Sequence, residues 1–225
     1  MTTRTRKPRT SSRRPGRPSG GEAEIRAALL QTARELFLRH GFGKVGIRRI
    51  AAAAGTTSAM IHYYFGDKLG LYRAMLDEAI APFVENLQRL ETMPAAAAPD
   101  LEALMAPHMR MLATNPWLPA LIVHEVLDEG GQLREQFVEH FAGRLAPAFV
   151  RVLERERARG LLRRDLYPRL AAISALSLCI FPFVSQPITR RVLGFSVDGD
   201  EFDRLVRHTT RLFREGAFAR EEEDA

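Results

Sequence analysis

Residues 45–71 read VGIRRIAAAAGTTSAMIHYYFGDKLGL, and this stretch decides the fold. Two short segments with helical apolar spacing, Ile47–Ala54 and Ser58–Tyr64, flank Gly55-Thr56-Thr57. That is the layout of a helix-turn-helix. Ile50, Ala51 and Ala54 give the first helix a small apolar face that a second helix can cross closely. Gly55 allows a turn that a β-carbon hinders. Thr57 is placed to cap the second helix and to offer its hydroxyl to a phosphate. Ile61 and Phe65, four apart, anchor that helix inward. Ser58, Ala59, Met60, His62, Tyr63 and Tyr64 are left to face outward or flank the turn. Arg48 and Arg49 stand at the entrance of the first helix and Lys68 at the start of the next, where each can meet a phosphate. An ordinary helical hairpin with a solvated polar side fits the same spacing. Adjacent tyrosines beside a histidine, in basic surroundings, favour a nucleic-acid surface.

Upstream, Ile25, Leu29, Ala33, Leu36 and Phe37 recur at three- and four-residue steps and predict a helix from about Glu22. His40-Gly41-Phe42-Gly43 stops it, with Gly41 suited to a left-handed cap. Residues 1–20 hold seven bases and no acid among Thr, Ser, Pro and Gly, and are expected to be disordered in the free protein. The formal charge of the chain is +6. Residues 1–65 carry thirteen bases and three acids, a net of +10 against −4 for the remainder. The end that seeks an anion is therefore the N-terminal one. Arg13-Arg14 lacks the apolar segment that a signal peptide or twin-arginine leader needs close behind. With Cys179 as the single cysteine, a reducing cytoplasm is expected. Arg14 and Arg17, spaced by Pro15 and Gly16, suit an extended arm entering a minor groove. A solvated tail that adds affinity without sequence preference is the simpler reading.

Downstream, Asp67 caps a long helix running to about Glu91, with Leu71, Met75, Ile80, Phe83, Leu87 and Leu90 apolar. Residues 94–99 read as a linker. Asp100 opens a helix kinked or split at Pro107, and Asn115-Pro116 starts another that ends at Gly130-Gly131. A long helix is expected over about Gln132–Arg159, bent near Pro147, and two more over Pro168–Ser185 and Asp200–Ala219. No stretch alternates with period two, so the chain is all-α.

From Ile50-Ala51 through Ala54-Gly55-Thr56-Thr57-Ser58-Ala59-Met60-Ile61-His62-Tyr63-Tyr64-Phe65-Gly66-Asp67-Lys68 to Leu71, preceded by His40-Gly41-Phe42, the chain resembles the DNA-binding signature of the TetR family of bacterial transcriptional repressors. That pattern is roughly I-A…A-G-V-S-x-G-x-[LI]-Y-x-[HY]-F-x-x-K…L. The motif covers about the first third of the chain; the rest resembles the family only in length and helical layout. Gly46 stands where the family usually has a capping Thr, so a frayed first helix is expected. Thr56 replaces the usual Val, Ala59 the usual Gly, and His62 the usual Tyr. A His at that place still donates to a phosphate and binds more tightly once protonated. The resemblance implies about nine helices: a basic arm over residues 1–20, a three-helix DNA-binding domain over 21–66, and a ligand-binding and dimerisation domain over 67–225. It implies a homodimer on a palindromic double-stranded operator with half-sites about 10 bp apart. Thr57, Tyr64 and Lys68 would meet phosphates, and Arg48, Ser58, Met60 and Tyr63 would lie closer to base edges.

A regulator of this kind needs a second site coupled to the first. The candidates for a small hydrophobic or amphipathic effector are Met105, Met109, Trp117, Leu121, His124, Glu125, Phe141 and Leu178. Methionines and aromatics at helical spacing are more often plain core. His124 and Glu125 are the polar pair beside an apolar helical face. The second His of a zinc motif is replaced by Asp128, so no metal and no cofactor are expected, a cluster of His108, His124 and His140 being a minor alternative. Ile173, Ser177 and Phe181, with Phe202, Leu205, Thr209 and Leu212, are the candidate dimer surface, intrachain core being the other reading. Leu170–Ile188 is uncharged and close to bilayer length, but its Ser, Gln and Pro content favours burial over a membrane span. A helical enzyme using His124 and Glu125 as acid and base is the main rival, unsupported by any nucleophile elbow, P-loop, Rossmann or zinc motif. An architectural DNA-binding protein is the other, and it has no need of a long apolar C-terminal part.

Overall fold

The computed structural model describes residues 20–92 and 101–217. The expectations for the arm, Arg14 and Arg17 included, and for the linker at 94–99 lie outside the described residues. Every regular element among the described residues is helical.

Helix α1, Gly20–His40, buries Leu29, Leu30, Ala33 and Phe37. It closes where the Gly41 N–H donates to the Phe37 carbonyl at 2.8 Å with φ +80°, a backbone shape glycine adopts without strain. Helices α2, Ile47–Ala53, and α3, Ser58–Phe65, turn about Gly55 at φ +68°. Ile50, Ala51 and Ile61 are buried between them, as their spacing predicts. Gly46 supplies no side-chain cap, yet α2 starts cleanly because its carbonyl accepts from the N–H groups of Arg49 and Ile50 at 3.0 and 3.2 Å. Thr57 stands at the N-cap of α3, but its hydroxyl makes no capping bond, contrary to expectation.

Helix α4, Lys68–Thr92, begins with the Asp67 carboxylate accepting from the Gly70 N–H at 2.7 Å. The turn from α3 into α4 is so tight that a Cβ at Gly70 would lie 1.8 Å from the Phe65 carbonyl oxygen. Arg26 and Arg34 of α1 both pair with Glu78 of α4 at 2.7 Å. Those pairs are partly exposed, so they orient α1 more than they stabilise it, each worth about 0–1 kcal/mol.

Helix α5, Glu102–Thr114, runs unbroken through Pro107. Helix α6, Trp117–Leu121, widens directly into a π-helical stretch over Ile122–Leu127. Helix α7, Arg134–Phe137, passes through a second π-helical stretch, Val138–Ala142, into α8, Gly143–Ala158. The predicted long helix is therefore one helical run with a wide turn in it. Helix α9, Pro168–Val184, packs on α8 and α5, and α11, Gly199–Ala217, packs on α5 and α9. The lone Cys179 is buried on the inner side of α9. Helix α10, Gln186–Leu193, was not foreseen, because its Ile188, Val192 and Leu193 face outward and lend no periodicity toward the core. It meets α9 at 71°, and no single described helix is long and apolar enough to cross a membrane.

Gly70→Ala tests the turn. In an ordinary helix this change is neutral or stabilising; here it is expected to cost about 1–3 kcal/mol through overpacking, read as a lowered denaturant midpoint.

Candidate nucleic-acid interface and its junction with the helical body

Ile61, wholly buried, pins α3 to the N-terminal unit, and its position fixes what the helix shows to solvent. Ala59, His62 and Tyr63 are exposed; Ser58 and Met60 lie half-buried at the edge of that face. Tyr63 is 69% exposed, its ring set edge-on to Tyr64 at 4.9 Å. Thr57 and Arg48 are exposed beside it. The His62 Nδ1–H donates to the Gly66 carbonyl at 2.6 Å, so the outward Nε2 of the neutral ring is an acceptor and becomes a donor only on protonation. Arg49 is engaged by His40, donating to its Nε2 at 2.8 Å. Desolvation, then the Arg49 and Arg39 charges, hold His40 below the usual imidazole value, consistent with an accepting ring.

Two predicted phosphate ligands do not face the DNA side. The Tyr64 hydroxyl is buried with no partner among the described residues, and desolvation raises its pKa. Lys68 turns inward: its ammonium donates to the Phe42 carbonyl at 2.5 Å and lies 4.0 Å from the centre of the Phe42 ring. The N–H of the same residue is held too, donating to Glu125 Oε1 at 2.7 Å. The Phe42 ring packs against Phe37 at 5.1 Å and Tyr72 at 5.8 Å. Burial lowers the Lys68 pKa and the Glu125 carboxylate opposes the shift. Burial, and then Glu125, push the Tyr72 phenol well above its usual value. Phe42, just after α1, is thus clamped between α4 and the π-helical end of α6.

Glu125 was expected at a ligand, and the clamp commits it elsewhere. Trp117, Leu121, His124 and Glu125 do meet, with Phe37, Leu38 and Phe42, but around a crevice of only 40 Å³. Met105, Met109 and Phe141 are packed core. Leu178 lines a different groove of 340 Å³, with Tyr167, Leu170, Ser174 and Leu212. The eight candidates do not converge on one cavity. His108 was singled out only as a metal ligand, and no group of three metal-binding side chains exists among the described residues. Instead it is 1% exposed, with neither ring nitrogen partnered among the described residues, between Phe83 at 5.6 Å and Phe149 at 6.0 Å. Burial lowers its pKa to about 4.

On α9, Ile173 and Phe181 are 61% and 65% exposed, in line with Leu170 and Ser177 along one face. Leu212 of α11 is exposed and Leu205 half-buried. Phe202 and Thr209 are corrected: both are buried within the chain, Phe202 beneath the Arg110 guanidinium at 5.3 Å. Helix α5 covers that side of α11, which periodicity alone does not reveal.

Residues 29–75 match the family described as "Bacterial regulatory proteins, tetR family", and residues 98–213 match "Tetracyclin repressor-like, C-terminal domain". The HTH-type transcriptional repressor Rv3405c of Mycobacterium tuberculosis is 31% identical over 205 residues, covering 89% of this chain and 92% of that protein. The repressor NicS of Pseudomonas putida is 27% identical over 68% of this chain and 73% of its own length. Among solved structures, NalD of Pseudomonas aeruginosa, the secondary repressor of a multidrug efflux pump, superposes with a TM-score of 0.67 at 21% identity, over 92% of this chain and 100% of NalD. The chain belongs to the TetR family of bacterial transcriptional regulators. It is accordingly a DNA-binding regulator and not an enzyme.

His108 sets an acid limit on the fold. A ring neutral in the native state down to about pH 4 takes up its proton near pH 6.5 once unfolded. Stability is then lost as pH falls from about 6.5 toward 4, by about 3 kcal/mol from this group at most. His108→Leu is expected to remove that loss, so its advantage in denaturant midpoint over the parent should grow on acidification. A constant difference would count against the buried neutral ring.

Proposed function

We propose that the chain is a homodimeric repressor of the cytoplasm, in which residues 21–66 read a palindromic double-stranded operator and residues 67–225 dimerise and receive an effector. The observation that carries this reading is the outer face of α3. Ile61 is sunk completely while Ala59, His62 and Tyr63 stand free, flanked by Thr57 and Arg48. In this reading Arg48, Ser58, Met60 and Tyr63 meet base edges and Thr57 a phosphate, with His62 beside them. The arm at 1–20, with Arg14 and Arg17, adds charge-driven affinity. Pairing of α9 and α11 through Ile173, Ser177, Phe181 and Leu212 presents two such helices together. The effector is received in the interior where Met105, Met109 and Phe141 pack. Methionines repack readily around a guest, and the unpartnered His108 ring offers it one donor and one acceptor.

Selection of bound DNA from a random pool is expected to return a palindrome; none enriched would sink the reading. Tyr63→Ala should then weaken the recovered site about 10- to 100-fold. Phe181→Glu should give monomers in sedimentation at micromolar concentration, where the parent is a dimer. His62→Ala should weaken the recovered site about 5- to 10-fold, because the exposed ring on the outer face of α3 is lost. Unaltered affinity in that variant would remove His62 from the interface.

A further inference from the structure

We propose that helix α10 is an arm that crosses to a second copy of this chain and seats Ile188 and Val192 in the groove between α9 and α11 of that copy. Homodimerisation through α9 and α11, proposed above, is presupposed; α10 has no part in that pairing. Ile188, Val192 and Leu193 are 67%, 71% and 73% exposed, among the most open large apolar side chains of the described residues. Ile188 and Val192 stand four apart and so form one ridge along α10. The helix packs chiefly on α9, which it meets at 71°, and nothing within the described chain covers the ridge.

The groove holds 340 Å³, with Tyr167, Leu170, Ser174 and Leu178 on one side and Leu212 and Phe213 on the other. Its polar groups are already engaged: the Ser174 hydroxyl donates to the Leu170 carbonyl at 3.1 Å, and the Asp165 carboxylate accepts from Arg163 at 2.7 Å. An apolar occupant therefore suits it. The groove follows the first half of α9 and the end of α11, whereas the ridge follows the other end of α9. Soluble homodimers are mostly closed by a two-fold axis, and an axis crossing α9 sets its two copies antiparallel. Each ridge then falls beside the groove of the other copy. Phe181, midway in sequence between Ser174 and Ile188 and 65% exposed, meets its own copy at the axis. The area favours this arrangement. Ile173, Ser177, Phe181 and Leu212 expose roughly half of the about 800 Å² per partner that a stable interface buries. The three apolar side chains of α10 supply a comparable share.

A disulfide between chains reads the arrangement directly. Within one chain the Cα atoms of residues 174 and 192 are about 20 Å apart by helical rise and the 71° turn, and a disulfide needs about 4.4–6.8 Å. The native Cys179 is buried and does not compete. Mild oxidation of the full chain carrying both Ser174→Cys and Val192→Cys should give mostly covalent dimers on a denaturing gel, while either change alone should give none. Ile188→Glu together with Val192→Glu should raise the dimer dissociation constant at least about 10-fold in sedimentation, with helix content unchanged. A chain that sediments as a dimer but stays unlinked in the double-cysteine variant would overturn the arm and leave the dimer standing. A parent monomeric at micromolar concentration would overturn both. Arg190 and Arg191 beside the ridge also suit an anionic lipid surface. Co-sedimentation of the parent with phosphatidylglycerol vesicles, lost in the double-glutamate variant while dimerisation is unaltered, would assign the ridge to lipid and overturn the arm.

Discussion

One residue, Phe42, joins the part of the molecule that carries the helix-turn-helix to the part that does not. Its N–H is held by the Glu125 carboxylate and its carbonyl by the Lys68 ammonium, with the ring stacked among Phe37, Tyr72 and the Lys68 charge. Both hydrogen bonds involve an ionised group, and such bonds contribute about 1.5–3 kcal/mol each, more than neutral ones. The two charges also balance in a half-buried place, where either alone would be costly. α1 therefore cannot swing on α6 without leaving a carboxylate and an ammonium poorly satisfied together. A junction of that kind moves as a unit or not at all, which is what a regulator requires of the contact between its two functions.

The N-terminal unit was legible because its constraints are local. Gly41 and Gly55 take positive φ for reasons contained in a few residues, and Ile50, Ala51 and Ile61 pack where their spacing puts them. Directions set by distant neighbours were not legible. Lys68 meets a carbonyl 26 residues away and Glu125 an N–H 83 residues away, so each looked like a surface charge or a ligand contact in the linear sequence. Gly70 is different: its constraint is the Phe65 carbonyl five residues back, local in sequence but created by the turn between two helices, which the residue pattern does not report.

In the body, the period of 3.6 residues found the helices and misjudged some of their faces. Phe202, Leu205, Thr209 and Leu212 lie on one side of α11, but Phe202 and Thr209 fall on the buried face and Leu212 on its open flank. Spacing reports which residues share a side; it does not report what lies opposite. The two π-helical stretches escaped because a single wide turn shifts the register by less than the spacing of apolar residues can resolve. Met105, Met109 and Phe141 pack as core, and spacing does not report that the buried His108 lies on the same helix as the two methionines with its ring nitrogens unpartnered among the described residues.

The buried Cys179 has a practical consequence. Burial pushes its thiol pKa up to about 12, so almost none of it is thiolate at neutral pH, and it lies behind the packed side of α9. Thiolate is the form that reacts with alkylating reagents. The native chain is thus already silent toward maleimide chemistry, and a cysteine introduced on α3 or α10 could carry a fluorophore or spin label without first removing the one that nature placed there.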